Sequence, residues 1–479
     1  MSALDGWSLP VQLPAGVPVR TASGGLGAPS DAQGLEVRYP VLSASQVQAV
    51  FRELDRAREE VLLPREAVEL PGVLGQVGRR FLDPGDGLRR DALELLPASA
   101  GVSAPMARMT LDGMARDWTP ERLTLLLRRE FPEPGCLDRF RADPGRGALM
   151  AVSPAVTTHV GSGNVPGVTV TSLLRALLVK SAALAKPGRG DLVLPLLFRR
   201  GLEEEDGDLA RALGVLYWPG GHAEAGTMES EVLAGADTVV VYGGEEALAS
   251  VKTMARPEAT VLAYPHRWSV AILTRETLDS PDYREAADRA ALAVAVMEQR
   301  GCVSPQAVYV EEGGERTPRE WAGELARSLR DLSVQLPPPP LMPEEASLVQ
   351  QLRGVSALRE AAGEGVVVHH GPDLSWTVIY DADPSFKGGC VARTVRVHPV
   401  ADLEEEMPAL LAPLGETLQT VALEAPESRR GGLAHSLAHS GALRISDLKG
   451  MPWPPAWWHH DGRSPLRSLV RFVDLEGAE

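Results

Sequence analysis

One cysteine of this sequence stands in a setting that suits a nucleophile. Cys302 follows Gly301 at the end of a long helical pattern and precedes Val303, Ser304 and Pro305, after which a strand is predicted. Such a turn can present a thiol to a cleft, and its backbone N–H groups can stabilise a thiolate or an oxyanion. Free cysteines are also among the most buried residues, so a structural role stays open at this point.

A second segment combines glycines with an amide side chain. Residues 161–167 read GSGNVPG and lie between a predicted strand and a helix predicted from Thr171. Glycines let a ligand approach the backbone, and Asn164 can donate an amide hydrogen bond to a developing oxyanion. The full GxGxxG spacing is absent, so an ordinary glycine-rich turn is the alternative.

Two further turns carry groups that suit a nucleotide phosphate. Lys186 and Arg189 place two cations in the turn KPGRG. Gly243 and Gly244 end a predicted strand and begin a helix, whose N-terminus can face a pyrophosphate. The plainer alternatives are a solvated basic turn and an ordinary strand-to-helix turn.

Two histidine pairs resemble metal ligands in type. His459 and His460, followed by Asp461, lie in a Trp- and Pro-rich stretch and lack the i, i+4 spacing of a helical metal site. His369 and His370 lie at a predicted strand end and are interpreted as structural or surface residues. The sequence therefore predicts no metal site.

The elements that must position these groups follow an α/β pattern. The first forty residues, rich in Gly, Pro and Ser, predict a loose arm; from residue 147 short apolar strands alternate with helical stretches, which is typical of parallel strands joined by crossovers. A proline run predicts a stiff connector over Leu336–Pro343. The predicted strands include Ala148–Val152, Val215–Trp218, Thr238–Tyr242, Val261–Tyr264, Val270–Leu273 and Val308–Val310, and the predicted helices include Thr171–Ala185, Tyr283–Gln299 and Pro343–Ala362.

Bulk properties exclude several classes of protein. A chain of 479 residues predicts two or three domains, and a net charge of -16 disfavours a nucleic-acid partner. No signal-like N-terminus is present, and the longest apolar run is shorter than the ~20 residues of a bilayer span. The three cysteines are widely spaced and predict reduced thiols. We expect a cytoplasmic protein without an integral membrane span.

The order of these motifs resembles the aldehyde dehydrogenase superfamily and, more narrowly, the LuxC-type acyl-CoA reductases. The phrases that carry the resemblance are GNVPGVTVTSLLRALLVKSAALAKPGRGD, YWPGG, VVVYGG and RGCVSPQAVYVEEG, and it continues more loosely to LRISDLKGMPWPPAWWHHDG. It covers residues 147–475 well and the first hundred residues only by position.

The resemblance implies an aldehyde dehydrogenase-like α/β fold with a Rossmann-type nucleotide-binding domain and a smaller α/β catalytic domain. The expected divisions are residues 1–267 for the N-terminal arm and nucleotide-binding domain, 268–435 for the catalytic domain, and 436–479 for a C-terminal segment that packs back on the first domain. Relatives are commonly oligomeric, so a homo-oligomer is expected.

The resemblance also implies roles for individual residues. Cys302 matches the nucleophile, and Asn164 matches the asparagine that binds the thioester oxyanion together with the backbone N–H of Cys302. Lys186 matches the lysine that reaches the adenosine ribose or its 2'-phosphate, and Gly243 matches the glycine that receives the pyrophosphate. The implied cofactor-binding residues are Lys186, Arg189, Gly220, Gly243 and Gly244, where Gly244 stands in place of a serine of many relatives.

Two departures from the superfamily pattern have physical consequences. Arg189 stands where many NAD-preferring relatives have an acidic residue that binds the ribose hydroxyl, and a cation there favours a 2'-phosphate, hence NADPH. Between Ala259 and Arg275 no acidic residue is present to activate water, so an acyl-enzyme would escape hydrolysis. His266 lies in this stretch and is a candidate acid or base, with a structural role as the alternative.

The resemblance therefore implies NADPH-dependent reduction of an acyl thioester to an aldehyde through an acyl intermediate on Cys302. The acyl donor would be an acyl-CoA or an acyl-protein, and a synthetase or acyltransferase is a possible partner. Two alternatives stay open: an aldehyde dehydrogenase running toward acid, and a non-catalytic subunit of an acyl-transfer complex. Acyl chain length, pathway and oligomeric state cannot be read from the sequence.

Overall fold

Two large β-sheets organise the chain in a computed structural model that describes residues 3–22, 35–143, 147–221, 225–388 and 392–476. Cys390 lies outside the described residues. No helix in the described ranges is long and apolar enough to cross a membrane.

Helices and strands alternate through most of the chain. The helices are α1 Ala44–Ala57, α2 Leu70–Arg80, α3 Gly87–Ala100, α4 Ala104–Ala115, α5 Pro120–Glu130, α6 Val168–Leu178, α7 Val193–Glu205, α8 Gly207–Ala210, α9 Gly226–Gly235, α10 Glu245–Met254, α11 Arg275–Asp279, α12 Tyr283–Ala295, α13 Pro318–Gln335, α14 Pro343–Ala361, α15 Leu403–Leu411 and α16 Glu427–His439. The strands are β1 Leu4–Asp5, β2 Trp7–Ser8, β3 Val19–Ala22, β4 Val37–Pro40, β5 Arg141–Asp143, β6 Gly147–Val152, β7 Val156–Val160, β8 Ala182–Lys186, β9 Leu213–Leu216, β10 Thr238–Tyr242, β11 Thr260–Tyr264, β12 Trp268–Leu273, β13 Pro305–Glu311, β14 Val366–His370, β15 Thr377–Asp381, β16 Thr394–Val400, β17 Leu418–Glu424, β18 Arg444–Ser446 and β19 Arg471–Leu475.

The first large sheet has the strand order β11-β10-β7-β8-β9-β2. Its first five strands are parallel, and β2 adds an antiparallel edge. Helices cover this sheet, so that small residues such as Ala182, Ala183 and Ala185 of β8 are fully buried. The strand order reverses between β7 and β10, and such a switch point is where open α/β sheets bind dinucleotides.

The second large sheet has the order β14-β15-β16-β13-β12-β17-β18 and is parallel except for β14. The chain then returns to the first half, where β19 pairs antiparallel with β6. Residue 435, the expected end of the catalytic domain, lies inside α16, and β18 still belongs to the second sheet. We therefore place that division after Ser446.

Most predicted elements are present, two need correction, and several elements were not predicted. The expectation of a loose arm was wrong for its described residues, which form strands β1 to β4, and β2 pairs with β9 of the first large sheet. The helix predicted over Thr171–Ala185 is wrong in its second half, because it ends at Leu178 and residues 182–186 form β8. Both elements are buried, so the apolar pattern did not separate them. Lys180, with a φ of 65°, lies in the turn between them.

Among the strands that were not predicted is β7, which is buried although polar residues dominate it. The imidazole of His159 in this strand forms two hydrogen bonds, from Nε2 to Thr157 Oγ1 at 2.9 Å and from Nδ1 to Ser172 Oγ at 2.7 Å, with donor and acceptor set by the tautomer. Burial lowers the pKa of His159 to about 3, so the ring is neutral. Hydrogen bonds between neighbouring side chains satisfy these polar groups inside the sheet. A strand of this composition cannot be recognised from a pattern of apolar residues.

The second correction concerns the helix predicted over Tyr283–Gln299. It ends at Ala295, and Met297, Glu298 and Gln299 all have positive φ values, from 53° to 63°. Non-glycine residues rarely adopt this conformation, so surrounding contacts must hold it.

Candidate functional site

The larger of the two cavities that Cys302 lines lies at the carboxyl ends of the five parallel strands of the first sheet and has a volume of about 1030 Å³. Each strand contributes residues at its end to the lining: Val160 and Gly161, Lys186, Tyr217 and Trp218, Tyr242 and Gly243, and Tyr264 and Pro265. All the site residues predicted from the sequence line this cavity: Cys302, Asn164, Lys186, Arg189, Gly220, Gly243, Gly244 and His266.

The two predicted cations differ in their surroundings. Lys186 is buried at the end of β8, and its Nζ lies 5.6 Å from the centroid of the Trp218 ring. Burial lowers the pKa of Lys186, which the carboxylate of Glu229 partly opposes. The Arg189 guanidinium already donates a hydrogen bond to the carbonyl of Leu35.

Glycines bring the loop of Asn164 against the turn that follows β8. Gly163 has a φ of +82°, and a Cβ on Gly188 would lie 2.5 Å from the Gly163 nitrogen, so the two backbones touch. Asp191 anchors the end of the loop, because its carboxylate accepts hydrogen bonds from the Gly167 and Thr169 N–H groups at 2.5 and 2.7 Å. Burial raises the pKa of Asp191 to about 6. Asn164 itself is exposed at the cavity wall.

The smaller cavity, of about 320 Å³, has an apolar and aromatic wall. Met114, Val165, Val168, Trp453 and Trp458 contribute to that wall, and polar side chains join it elsewhere. The polar members include Arg116, Asp117, Arg122, Thr171, Arg175 and His460.

Cys302 lines both cavities, and the second sheet holds its backbone. The Ser269 hydroxyl donates to the carbonyl of Cys302 at 2.6 Å and accepts from the Thr420 N–H at 3.1 Å. The sulfur lies 4.0 Å from the Gln419 amide nitrogen. Burial raises the pKa of the Cys302 thiol to about 11, against the Gln419 hydrogen bond, which lowers it.

Buried polar contacts hold the left-handed turn just before Cys302. The Glu298 carboxylate pairs with the Arg393 guanidinium through two hydrogen bonds of 2.8 Å, and both side chains are almost fully buried. The Gln299 amide donates to the carbonyls of Pro305 and Thr394 at 2.9 and 2.8 Å and accepts from the Thr394 N–H at 2.8 Å. These contacts compensate the backbone strain and fix the approach to Cys302.

The C-terminal segment completes the surroundings of the sulfur. His460 Nε2 lies 3.9 Å from Cys302 Sγ, and the imidazole stacks on Tyr264 and Trp458, with ring centroids 4.6 and 4.5 Å away. Burial lowers the pKa of His460 to about 3, assisted by nearby arginines. The resting site therefore pairs a neutral thiol with a neutral imidazole.

A carboxylate also lies beside this pair. Asp461 Oδ1 is 3.6 Å from His460 Nε2 and accepts a 2.7 Å hydrogen bond from the Gln419 amide. Its other oxygen pairs with Arg267 Nε at 3.0 Å, and the Asp461 side chain is only 2% exposed. Oδ1 of the carboxylate is thus held by a hydrogen bond, and Oδ2 by an ion pair that lacks hydrogen-bond geometry.

Sequence reasoning missed the contribution of this C-terminal segment. His460 and Asp461 were considered only as metal ligands, and the described residues contain no group of three or more side chains that could hold a metal ion. The closing phrase WPPAWWHHDG was part of the family resemblance, but it did not indicate that this segment contacts Cys302. The proposed acid or base His266 lines the larger cavity and is exposed.

The two large sheets, with Cys302 at the two cavities beside them, form an aldehyde dehydrogenase-like fold. The chain superposes on aldehyde dehydrogenase 21 from Physcomitrella patens with a TM-score of 0.75 at 12% identity, over 99% of this chain and 98% of that one. An NADP-dependent glyceraldehyde-3-phosphate dehydrogenase from Bacillus halodurans C-125, complexed with NADP, gives a TM-score of 0.67 at 14% identity over 96% of each chain. These likenesses establish the fold.

Residues 72–472 match the acyl-CoA reductase (LuxC) family, and the chain belongs to that family. It is 26% identical over 448 residues to the long-chain acyl-protein thioester reductase of Aliivibrio fischeri, which covers 92% of this chain and 87% of that relative. The protein is therefore an enzyme of the reductase class, as the resemblance in its sequence implies.

Proposed function

We propose that this enzyme reduces a long- or medium-chain acyl thioester to the aldehyde with NADPH, through an acyl intermediate on Cys302. The observation that carries the proposal is the place of Cys302 at the junction of the two cavities. An acyl chain in the apolar cavity and a reductant in the larger one would meet at this sulfur. The family and its named relatives support a thioester as the substrate.

The larger cavity fits a dinucleotide in position and in charge. It opens at the carboxyl ends of parallel strands, where this class of sheet binds dinucleotides, and the buried cation Lys186 lines it. NADPH, when bound there, supplies the hydride that reduces the acyl carbon. Arg189, in the turn after Lys186, is our choice for the residue that favours the 2'-phosphate.

The reaction begins as the Cys302 sulfur attacks the thioester carbonyl, and a sulfur–carbon bond forms. Asn164 and the Cys302 backbone N–H are proposed to hold the oxyanion. This role is supported because both residues line the larger cavity. Collapse breaks the bond to the carrier sulfur. After hydride delivery, the thiohemiacetal oxyanion expels the Cys302 thiolate and releases the aldehyde, and the thiolate takes a proton from solvent.

Protection of the acyl-enzyme from water supports reduction over hydrolysis. Between Ala259 and Arg275 no acidic residue is present, and Asp461 is held by Arg267 and Gln419. A carboxylate held on both oxygens is poorly placed to activate a water molecule. We therefore favour the reductase over a dehydrogenase that forms acid.

The decisive experiment follows NADPH oxidation with a chain-length series of acyl-CoAs and traps the aldehyde. Cys302→Ala should abolish turnover while NADPH binding persists, and appreciable turnover in that variant would refute the acyl-cysteine route. An acylated carrier protein offered in parallel distinguishes the two donors. Aldehyde oxidation to acid with NADP+ and no added thiol would instead identify a dehydrogenase. Wild-type protein that binds NADPH but reduces no thioester would support a non-catalytic subunit.

The preference for NADPH has a separate test. Replacing Arg189 with Leu should raise the KM for NADPH by about tenfold or more, because a charge-assisted contact of about 1.5–3 kcal/mol is lost. The KM for NADH should change little. Equal effects on the two nucleotides would show that Arg189 only supports the fold through Leu35.

A further inference from the structure

The resting site contains a nucleophile that is not ionised. The pKa of the Cys302 thiol is about 11, and burial is the main cause. A thiol is a poor nucleophile, and attack on a thioester requires that the proton leave the sulfur. A proton acceptor within reach of Cys302 Sγ is therefore needed.

His460 is in reach of the sulfur and is held in a fixed orientation. Its Nε2 lies 3.9 Å from Cys302 Sγ, a hydrogen-bonding distance for sulfur, and the imidazole is stacked between the rings of Tyr264 and Trp458. Stacking on two rings fixes the plane of the imidazole, so the direction of Nε2 is fixed as well. The neutral ring can accept a proton.

The backbone around His460 is equally constrained. The Trp458 N–H donates to the Pro455 carbonyl at 2.9 Å, and the Arg463 N–H donates to the His460 carbonyl at 3.0 Å. Asp461 adopts the left-handed region with a φ of 53°, held by the contacts of its side chain with Arg267 and Gln419.

The charges facing His460 come from several elements. Arg175 of α6, Arg267 and Arg463 disfavour an imidazolium, whereas the Asp461 carboxylate, 3.6 Å from Nε2, stabilises one. An imidazolium formed here is transient and acidic. Such a group gives its proton up readily, which suits delivery to a departing thiolate.

We propose that His460 is the acid–base residue of this active site. Its Nε2 takes the proton of Cys302 as the sulfur attacks the thioester, and it returns that proton to the carrier sulfur as the carbon–sulfur bond breaks. Atoms balance, because one sulfur–carbon bond forms, one breaks, and the proton moves from Cys302 to the released carrier thiol. This role rests on the proposed function.

His460 also lines both cavities, so it can contact the reacting carbon from either side. His266 remains exposed in the larger cavity only, and no contact with Cys302 supports it as the base. The proton-transfer role is therefore assigned to a residue about 160 positions after the nucleophile, within the C-terminal segment.

The test isolates the acylation step by omitting NADPH. The chain is mixed with its best acyl-CoA from the chain-length series, release of the CoA thiol is followed with a chromogenic disulfide, and the adduct on Cys302 is found by mass spectrometry. His460→Gln should slow acylation by about 100-fold or more, the usual contribution of a general acid–base group. His459→Gln, which alters the exposed neighbouring histidine, is the matched control and should acylate at the wild-type rate.

Two further measurements separate chemistry from structure. Imidazole added to His460→Ala should restore acylation in proportion to its basic form, which a purely structural role would not produce. Wild-type acylation should be slower in D2O than in H2O because a proton is in transfer. All variants should still bind NADPH, measured by fluorescence, which shows that the fold is intact.

The outcomes distinguish the two proposals. Wild-type protein that acylates Cys302, with both His460 variants acylating within threefold of it, would overturn the role of His460 alone. Wild-type protein that binds NADPH but forms no adduct on Cys302 would overturn the proposed function and the His460 role together.

Discussion

The thiol of Cys302 should react slowly with an alkylating agent at neutral pH, although it lines two cavities. With a pKa of about 11, roughly one thiol in 10⁴ is ionised at pH 7, against roughly 3 in 100 for an ordinary cysteine with a pKa near 8.5. Ionisation alone thus lowers the rate by about 300-fold.

Intrinsic nucleophilicity offsets part of this loss. A thiolate of higher pKa is more reactive, and a Brønsted slope of about 0.45 over about 2.5 pKa units returns roughly a factor of 13. The net expectation is alkylation about 25-fold slower than in a short cysteine peptide at pH 7. Because the thiol stays largely protonated, the rate should rise about tenfold per pH unit up to about pH 10.

The assay treats the folded chain with iodoacetamide from pH 6 to pH 10 and quantifies the peptide that contains Cys302 by mass spectrometry, apart from Cys136 and Cys390. The same chain in denaturant is the internal control, since its Cys302 should react like the short peptide. A rate that reaches a plateau below pH 8 would refute the reasoning. It would show that the resting site stabilises a thiolate and that attack needs no proton acceptor.

Two further predictions concern substrate size and acid stability. A Cβ at Gly113 would collide with the Trp453 ring at the wall of the smaller cavity. Gly113→Ala should therefore push that ring inward and lower kcat/KM, measured across acyl chain lengths, by about fourfold for each methylene of the acyl chain that no longer fits. An unchanged chain-length profile would contradict this. Burial alone would raise the pKa of Glu311, but hydrogen bonds from Arg429 and Arg275 lower it to about 2. The pKa of this carboxyl in the unfolded chain is 4.5. The contribution of ionised Glu311 to the free energy of unfolding is therefore present above pH 4.5 and is lost as the pH falls toward 2. Glu311→Gln should therefore lower the free energy of unfolding by about 3 kcal/mol at pH 7, and by less as the pH of the urea titration falls below 4.5; a pH-independent loss would contradict the linkage.

The parts of the fold that were predicted from the sequence depend on local patterns. Short apolar strands such as Thr238–Tyr242 and glycine-containing turns after them can be read within a dozen residues. The errors arise where local pattern and tertiary contact disagree. Strand β7 can be both polar and buried because Thr157 and His159 satisfy each other inside the sheet. Helix α12 ends at Ala295, before a left-handed turn in which Glu298 pairs with Arg393, a residue distant in sequence.

The candidate site divides in the same way. Asn164, Lys186 and Gly243 follow strands of one parallel sheet, and the carboxyl ends of such strands meet at one edge, so their grouping follows from the predicted topology. His460 shows no such local signal. Its position depends on the path of the C-terminal segment between the two halves of the chain, which no periodicity of that segment encodes.

The path of the C-terminal segment links the reactivity of Cys302 to the packing of the two halves of the chain. A thiol with a pKa of about 11 is almost fully protonated at pH 7, so its proton must leave as the sulfur attacks the thioester, and an acceptor must lie beside it at that moment. The acceptor arrives on a segment whose Trp453 packs on Gly113 of α4, whose Asp461 contacts Gln419 of the second sheet, and whose end pairs with β6. The nucleophile can thus be activated only when both halves of the chain are folded against the same segment.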